Sequence, residues 1–231
     1  MEVKTVVCLA NSIKHGGNCF AGIELVDGWP ESWIRPIGTD SGHGVSREER
    51  ALADGSEPRP LDMVRIGLSA PAPWGHQGEN WTLDPSEAWE KTGTWAYDDL
   101  EDLVDTPPAL WDGRESSSVG IRDRVPVEAL VPGGESIYLI RPERAEIQVA
   151  RNRFGNHDIE VRVEFDYADE RHLVKISDPV YKAWYLAEGI GTYELPDAYL
   201  TLSLTEPWSK TAGPEHAYVV AAAVIEPDGP P

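Results

Sequence analysis

The sequence predicts a mainly β chain, two small closed β-barrels with a tryptophan-rich insertion of loops and short helices between them. Three observations carry this. Short β-rich runs bounded by Gly, Pro, Asn and Asp clusters recur at both ends of the chain. One of them, "IEVRVEF", sets Ile159, Val161, Val163 and Phe165 against Glu160, Arg162 and Glu164, a period of two that buries one face and wets the other. The middle of the chain changes character, gathering Trp74, Trp81, Trp89, Trp95 and Trp111 among acidic segments. Two β-rich units of similar size on either side of such a segment suit duplicated barrels, whose closure removes exposed strand edges. The expected boundaries are residues 1–75 for the first barrel, 76–134 for the bridge, 135–227 for the second barrel and 228–231 for a frayed tail.

Taken in order, "VKTVVCLAN", the turn-prone "SIKHGGN" and "CFAGIELV" read as an antiparallel hairpin over residues 3–26. "SWIRPI" is a short strand, followed by a polar excursion with one short helix expected near Ser46–Ala53, and "LDMVRIGLSA" returns to strand before the break "PAPWGHQ". In the bridge, "DPSEAWEKTG" and "YDDLEDLVD" each offer a helix start with acidic residues in the first turn. Strands resume in "SIYLIRP", "RAEIQVARN", "DIEVRVEFDYAD" and "RHLVKISD". "PVYKAWYLA" is expected to be a helix begun by Pro179 behind an Asp178 cap, and "YLTLSLTEPW" and "HAYVVAAAVIE" close the second barrel.

Composition narrows the function. The 231 residues suffice for a real core without metal or disulfide staples. No window is apolar for long enough to span a membrane, and the start "MEVKTVVCLAN" lacks a basic leader and an apolar signal core, so a cytoplasmic protein is expected. Cys8 and Cys19 belong to no zinc-type array and are read as reduced, core or near-core thiols. The net charge of −20 argues against a broad electrostatic grip on nucleic-acid phosphates, so any such surface must be local.

The series "CLANSIKHGGNCFAG", "WIRPI", "HQGENW", "KISDPVYKAWYL" and "YLTLSLTEPW", in this order, resembles the bacterial proteins described as dual OB-domain-containing, over nearly the whole chain. The resemblance implies two OB-like barrels and, by analogy with other OB folds, a nucleic-acid or nucleotide-like ligand.

The residues themselves supply candidates. In "NSIKHGGNCFAG" the glycine pair permits close backbone approach, letting Asn11, Ser12, Lys14 and Asn18 present donors to a phosphate or base; alternatively the pair only makes the hairpin turn. The spacing is not that of a Walker loop, and a strand follows where a helix would be needed. "WIRPI" puts Trp33 and Arg35 on one strand face and Ile34 on the other, a stacking and phosphate-binding platform or simply an Arg packed on Trp. "HQGENW" adds His76, Gln77, Glu79, Asn80 and Trp81, whose amides can read a base edge or satisfy loop backbone. Arg122 with Arg124, and Arg151 with Arg153, are local basic concentrations that suit phosphate or neighbouring acids.

Catalytic constellations are thin. Cys19 as a nucleophile needs a base such as His15 or His76 with no sign of contact, no metal-ligand spacing exists, and no cofactor motif is present. The expected function is therefore a non-enzymatic binding module. Its ligand-binding residues are Asn11, Ser12, Lys14, Trp33, Arg35, Gln77, Asn80 and Trp81, and its partner is single-stranded nucleic acid or a nucleotide. The alternatives are an acidic adaptor for a basic protein partner, or an enzyme acting on a nucleotide or modified base.

Overall fold

A computed structural model describes residues 2–14, 17–38, 44–152, 157–209 and 213–230. The chain divides into two compact units, the first made of Met1–Val104 with Val131–Ser136 and the second of Asp105–Leu130 with Ile137–Pro231.

The first unit contains β1 (Glu2–Lys14), β2 (Gly17–Val26), β3 (Trp29–Ile37), β4 (Asp62–Pro71), β5 (Asn80–Leu83), β6 (Glu90–Thr94) and a 3-10 helix, Tyr97–Leu103. Its sheet runs β1-β2-β3-β5-β4, and β4 pairs back onto β1 from Glu2↔Leu68 to Val7↔Met63, so the five strands close into a ring. All of these pairings are antiparallel except β3 with β5, which is parallel from Arg35↔Asn80 to Ile37↔Thr82. A 13-residue β1 with a register shift between Cys8 and Ala10 bends enough to serve two neighbours. β1 leaves no room for a side chain at Gly22, since a Cβ there would lie 2.0 Å from the Val7 carbonyl oxygen. Asp27 and Gly28, at φ 53° and 85°, make the tight turn from β2 to β3. Inside the ring lie Val6, Cys8, Phe20, Ile34, Val64, Ile66, Leu68, Leu83 and Trp89, with Trp89 edge-on to Phe20 at 4.7 Å.

The second unit contains β7 (Arg124–Pro126), a 3-10 turn, β8 (Ile137–Ile140), β9 (Arg144–Arg151), β10 (Ile159–Tyr167), β11 (Glu170–Ile176), α1 (Pro179–Glu188), β12 (Gly191–Leu195), β13 (Tyr199–Leu204) and β14 (His216–Ile225). Its strands run β12-β9-β10-β11-β14-β13-β8, with β7 on β14. The pattern of the first unit returns. β9, β10, β11 and β14 stand where β1, β2, β3 and β5 stand, and β11 with β14 is again the parallel pair. The fourth strand is divided: β12 pairs with β9, and β13, three residues on, pairs with β14. Ala168 and Asp169, at φ 52° and 59°, repeat the tight turn between the second and third strands. The alternation read in "IEVRVEF" puts Val161, Val163 and Phe165 into the core. Asp178 caps α1 through the amides of Val180 and Tyr181.

Several expectations are corrected. Near Ser46–Ala53 the chain turns instead of forming a helix, and Leu52 enters the first core. "DPSEAWEKTG" is a turn leading into β6, because burying Trp89 and pairing β6 with β4 outweigh helix propensity. The short helix expected in "YDDLEDLVD" is present, as the 3-10 helix, though without a side-chain cap. Residues 76–134 are not a separate bridge: β5, β6, the 3-10 helix and 131–134 belong to the first unit, and 105–130 to the second. Cys8 and Cys19 need no correction as core or near-core thiols: Cys8 is buried and Cys19 half-buried, both free, opposite Gly22 and Ser12 in the β1–β2 register. Among the described residues no helix is long and apolar enough to cross a membrane.

Candidate ligand-binding site

The loop between β4 and β5 of the first unit is built to hold its shape. Ala72 N–H donates to the Asn80 carbonyl at 2.8 Å, and Trp74 and Gln77 exchange backbone hydrogen bonds at 3.1 and 3.0 Å. Gly75, at φ 57°, lets the chain reverse between them. The loop is tied to the segment Val131–Ser136 by Gly133 N–H to the Gly75 carbonyl at 2.8 Å and Gly78 N–H to the Gly134 carbonyl at 3.1 Å. A Cβ at Gly78 would meet the Gly133 oxygen at 2.6 Å, so only glycine permits this approach.

The root of the loop is a buried polar network. Arg35 Nη2 lies 2.9 Å from Glu79 Oε1 and donates to Ser136 Oγ at 3.0 Å, and Ser136 Oγ donates to the same Glu79 oxygen. Arg35 N–H also donates to the Glu79 carbonyl at 2.9 Å. Asn80 Nδ2 donates to Gln77 Oε1 at 3.2 Å, while Asn80 Oδ1 is buried without a hydrogen-bond partner among the described residues. Arg35, His76, Gln77 and Asn80 are all 4% exposed or less. Above this root, Trp74 is 46% exposed.

The expected site residues are thus distributed unevenly. Arg35, Gln77 and Asn80 come together, but inside the protein. Arg35 is not a phosphate contact on an open strand: its charge is already met by Glu79, because a guanidinium this deeply buried requires a partner. Trp33 does sit on the β3 face turned from the core, half-buried and opposite Ile23, itself 6% exposed. Trp81 is half-buried against the first core, with the Lys4 ammonium 4.5 Å from its ring centre. Burial works against the Lys4 charge, but its pairing with Glu24 at 2.8 Å, helped by Glu2, raises its pKa on balance. On β1, Asn11 Nδ2 donates to the Pro58 carbonyl at 2.8 Å and Ser12 is 4% exposed. Lys14 ends β1 opposite Gly17, and its side chain lies outside the described residues, as do His15 and Gly16. Arg153 lies outside them too.

The family model of the dual OB-containing domain matches residues 4–224. The chain belongs to this family. No curated protein and no solved structure matches it. The first unit supplies a closed five-stranded ring and the second repeats its strand order with a divided fourth strand; OB rings bind oligonucleotides and oligosaccharides across strands two and three and with the loops joining strands one to two and four to five. In the first ring the loop joining strands four to five is the one that holds Trp74, between β4 and β5.

Two tryptophans outside the expected ligand-binding residues stand out. Trp74 was legible as a ring in the Pro-rich break after a strand, on the fourth-to-fifth loop. Trp29, 76% exposed, follows the Asp27–Gly28 turn, and with Gly28, Pro30, Trp95 and Asp102 it lines a cleft of about 320 Å³. Among the described residues no group of three His, Cys, Asp or Glu is placed to hold a metal ion.

Proposed function

We propose that this dual OB domain is a non-enzymatic binding module that takes single-stranded nucleic acid or a nucleotide on the β4–β5 loop of its first barrel, by stacking a base on Trp74. The observation that carries this is the combination in that loop: a tryptophan 46% exposed, above a buried Arg35–Glu79–Ser136 root that fixes the backbone beneath it. A ring left in water forgoes much of its burial energy, and pre-ordering it lowers the entropy lost when a flat ligand settles on it. Base–aromatic stacking tolerates any sequence, and in an acidic chain it supplies affinity that phosphate contacts do not. Arg35, Gln77 and Asn80 act as the loop's support.

Anisotropy of short labelled DNA and RNA strands tests this. Trp74→Ala is expected to weaken binding roughly tenfold or more, the loss one stacked base carries. Loss in Trp29→Ala alone would move the site to the cleft at the β2–β3 turn.

One observation favours a second reading. The net charge is −20, and the arginines that the fold buries, Arg35, Arg50 and Arg114, each face a carboxylate. An acidic surface of this kind suits docking to a basic protein, which would appear as salt-sensitive association without any nucleic-acid binding.

A further inference from the structure

We infer that the second barrel carries a stacking site of its own, formed by Trp208, Tyr218 and Glu115, which takes a nucleobase bearing an exocyclic amine. This rests on the reading of the first barrel as a nucleic-acid or nucleotide binder.

The argument begins with a repeat that spans the two units. Pro73–Trp74 follows β4 and precedes β5; Pro207–Trp208 follows β13 and precedes β14, the same place in the second ring. Each tryptophan closes an antiparallel bridge across its loop, Trp74 with Gln77 and Trp208 with His216. Trp208 and His216 exchange backbone hydrogen bonds at 3.1 and 3.2 Å, as Trp74 and Gln77 do. Both rings stay in contact with water, at 46% and 42% exposure. Each therefore keeps an aromatic surface open that a flat ligand can cover.

The surroundings of Trp208 say what it can hold. Tyr218 lies 5.3 Å from it at an interplanar angle of 38°, extending the aromatic surface. Residues two apart on a strand share a face, so His216 accompanies Tyr218, with their rings 6.4 Å apart. Across the β7–β14 pairing, Arg124 stands opposite Tyr218. The Glu115 carboxylate is fixed beside these rings: its Oε2 is 3.0 Å from Arg124 Nη2 and 3.4 Å from His216 Nε2, and its side chain is 47% exposed. Arg124 Nη2 donates to that Glu115 oxygen, so the guanidinium is engaged with the carboxylate. A positioned carboxylate at the rim of an aromatic platform accepts hydrogen bonds and repels phosphate. The ligand therefore turns its base inward and its phosphate outward. Guanine, adenine and cytosine offer an amine to such an acceptor, whereas uracil and thymine offer carbonyls on both sides of one N–H.

Calorimetric titration with guanosine and uridine monophosphates tests the inference on the full chain, with variants Trp74→Ala, Trp208→Ala, Trp208→Phe, Glu115→Gln and the double alanine variant. The expected result is two equivalents of guanosine monophosphate on the wild type, one on each single alanine variant and none on the double. Trp208→Phe, which keeps a ring, retains the second equivalent. Glu115→Gln lowers the preference for guanosine over uridine at that site several-fold without removing stacking, a readout that does not depend on Trp208→Ala folding well. Full binding in Trp208→Ala together with loss in Trp74→Ala would overturn the second site and leave the first standing. No binding of either nucleotide by the wild type would overturn both.

Discussion

Arg35 shows most directly what a single residue does here. It lies on the same strand face as Trp33, yet it is 4% exposed and holds Glu79 and Ser136. Removing the guanidinium leaves a buried carboxylate unpaired, so Arg35→Met is expected to cost about 3–5 kcal/mol in urea denaturation, and Arg35→Met with Glu79→Gln to recover part of that loss. Trp74→Ala is expected to change stability by no more than about 0.5 kcal/mol. The same scale supplies a pH dependence. His172 is 1% exposed, stacked on Phe165 at 4.8 Å, and neither ring nitrogen has a hydrogen-bond partner among the described residues. Burial first, and then the nearby Arg114 guanidinium, push its pKa from 6.5 down to about 4. Below pH 6.5 the unfolded chain takes up a proton that the native protein refuses, so stability falls as pH drops toward 4 and levels off beneath it. The total is roughly 3 kcal/mol, at about 1.4 kcal/mol per unit. His172→Phe, which keeps the stack, is expected to flatten this part of a stability–pH curve; an unchanged slope would place the proton elsewhere.

At the scale of elements, α1 is held by its first turn. Asp178 accepts from Val180 N–H at 2.9 Å and Tyr181 N–H at 3.1 Å, and Pro179 needs no partner at that position. Burial raises the Asp178 pKa against the pull of those amides, so the charge itself is not what the site favours. Asp178→Ala should therefore lose about 1 kcal/mol in thermal unfolding, and Asp178→Asn, which keeps the acceptor, should be no less stable than the wild type at pH 7. Elements of this local kind were legible in the sequence. The hairpin of β1 and β2, the alternating β10 and the capped α1 each announce themselves within about ten residues through turn glycines, a period of two, or an Asp–Pro start. Elements fixed by distant partners were not. "DPSEAWEKTG" has local helix signals, but its Trp89 belongs in a core with Phe20, and no neighbouring residue announces that. The site divides in the same way. Asn80 and Gln77 were recognisable as hydrogen-bonding residues, whereas the partner that removes Arg35 from solvent is forty-four positions away and Ser136 is 101 away. Trp74 needed the ring order before its loop could be recognised as the one between strands four and five.

The whole chain repeats one strand order in two units, with the fourth strand divided in the second, and carries a formal charge of −20. Among the described residues the exposed Arg47, Arg65, Arg144 and Arg171 also pair with carboxylates, so a strand bound there meets few unpaired cations. Binding through one or two phosphates gives a slope of log affinity against log salt no steeper than about −1.4 for single strands, and a slope several times larger would mean a basic surface that this account lacks. The central claim is that a base stacks on Trp74, and one measurement reads it directly. Each of the nine tryptophans contributes one indole N–H signal to a proton–nitrogen correlation spectrum, with Trp74 assigned through Trp74→Phe. Addition of a short single-stranded oligonucleotide is expected to move the Trp74 signal saturably while that of core Trp89 stays in place. A Trp74 signal that does not move while others do, or a spectrum that no oligonucleotide alters, would contradict the account.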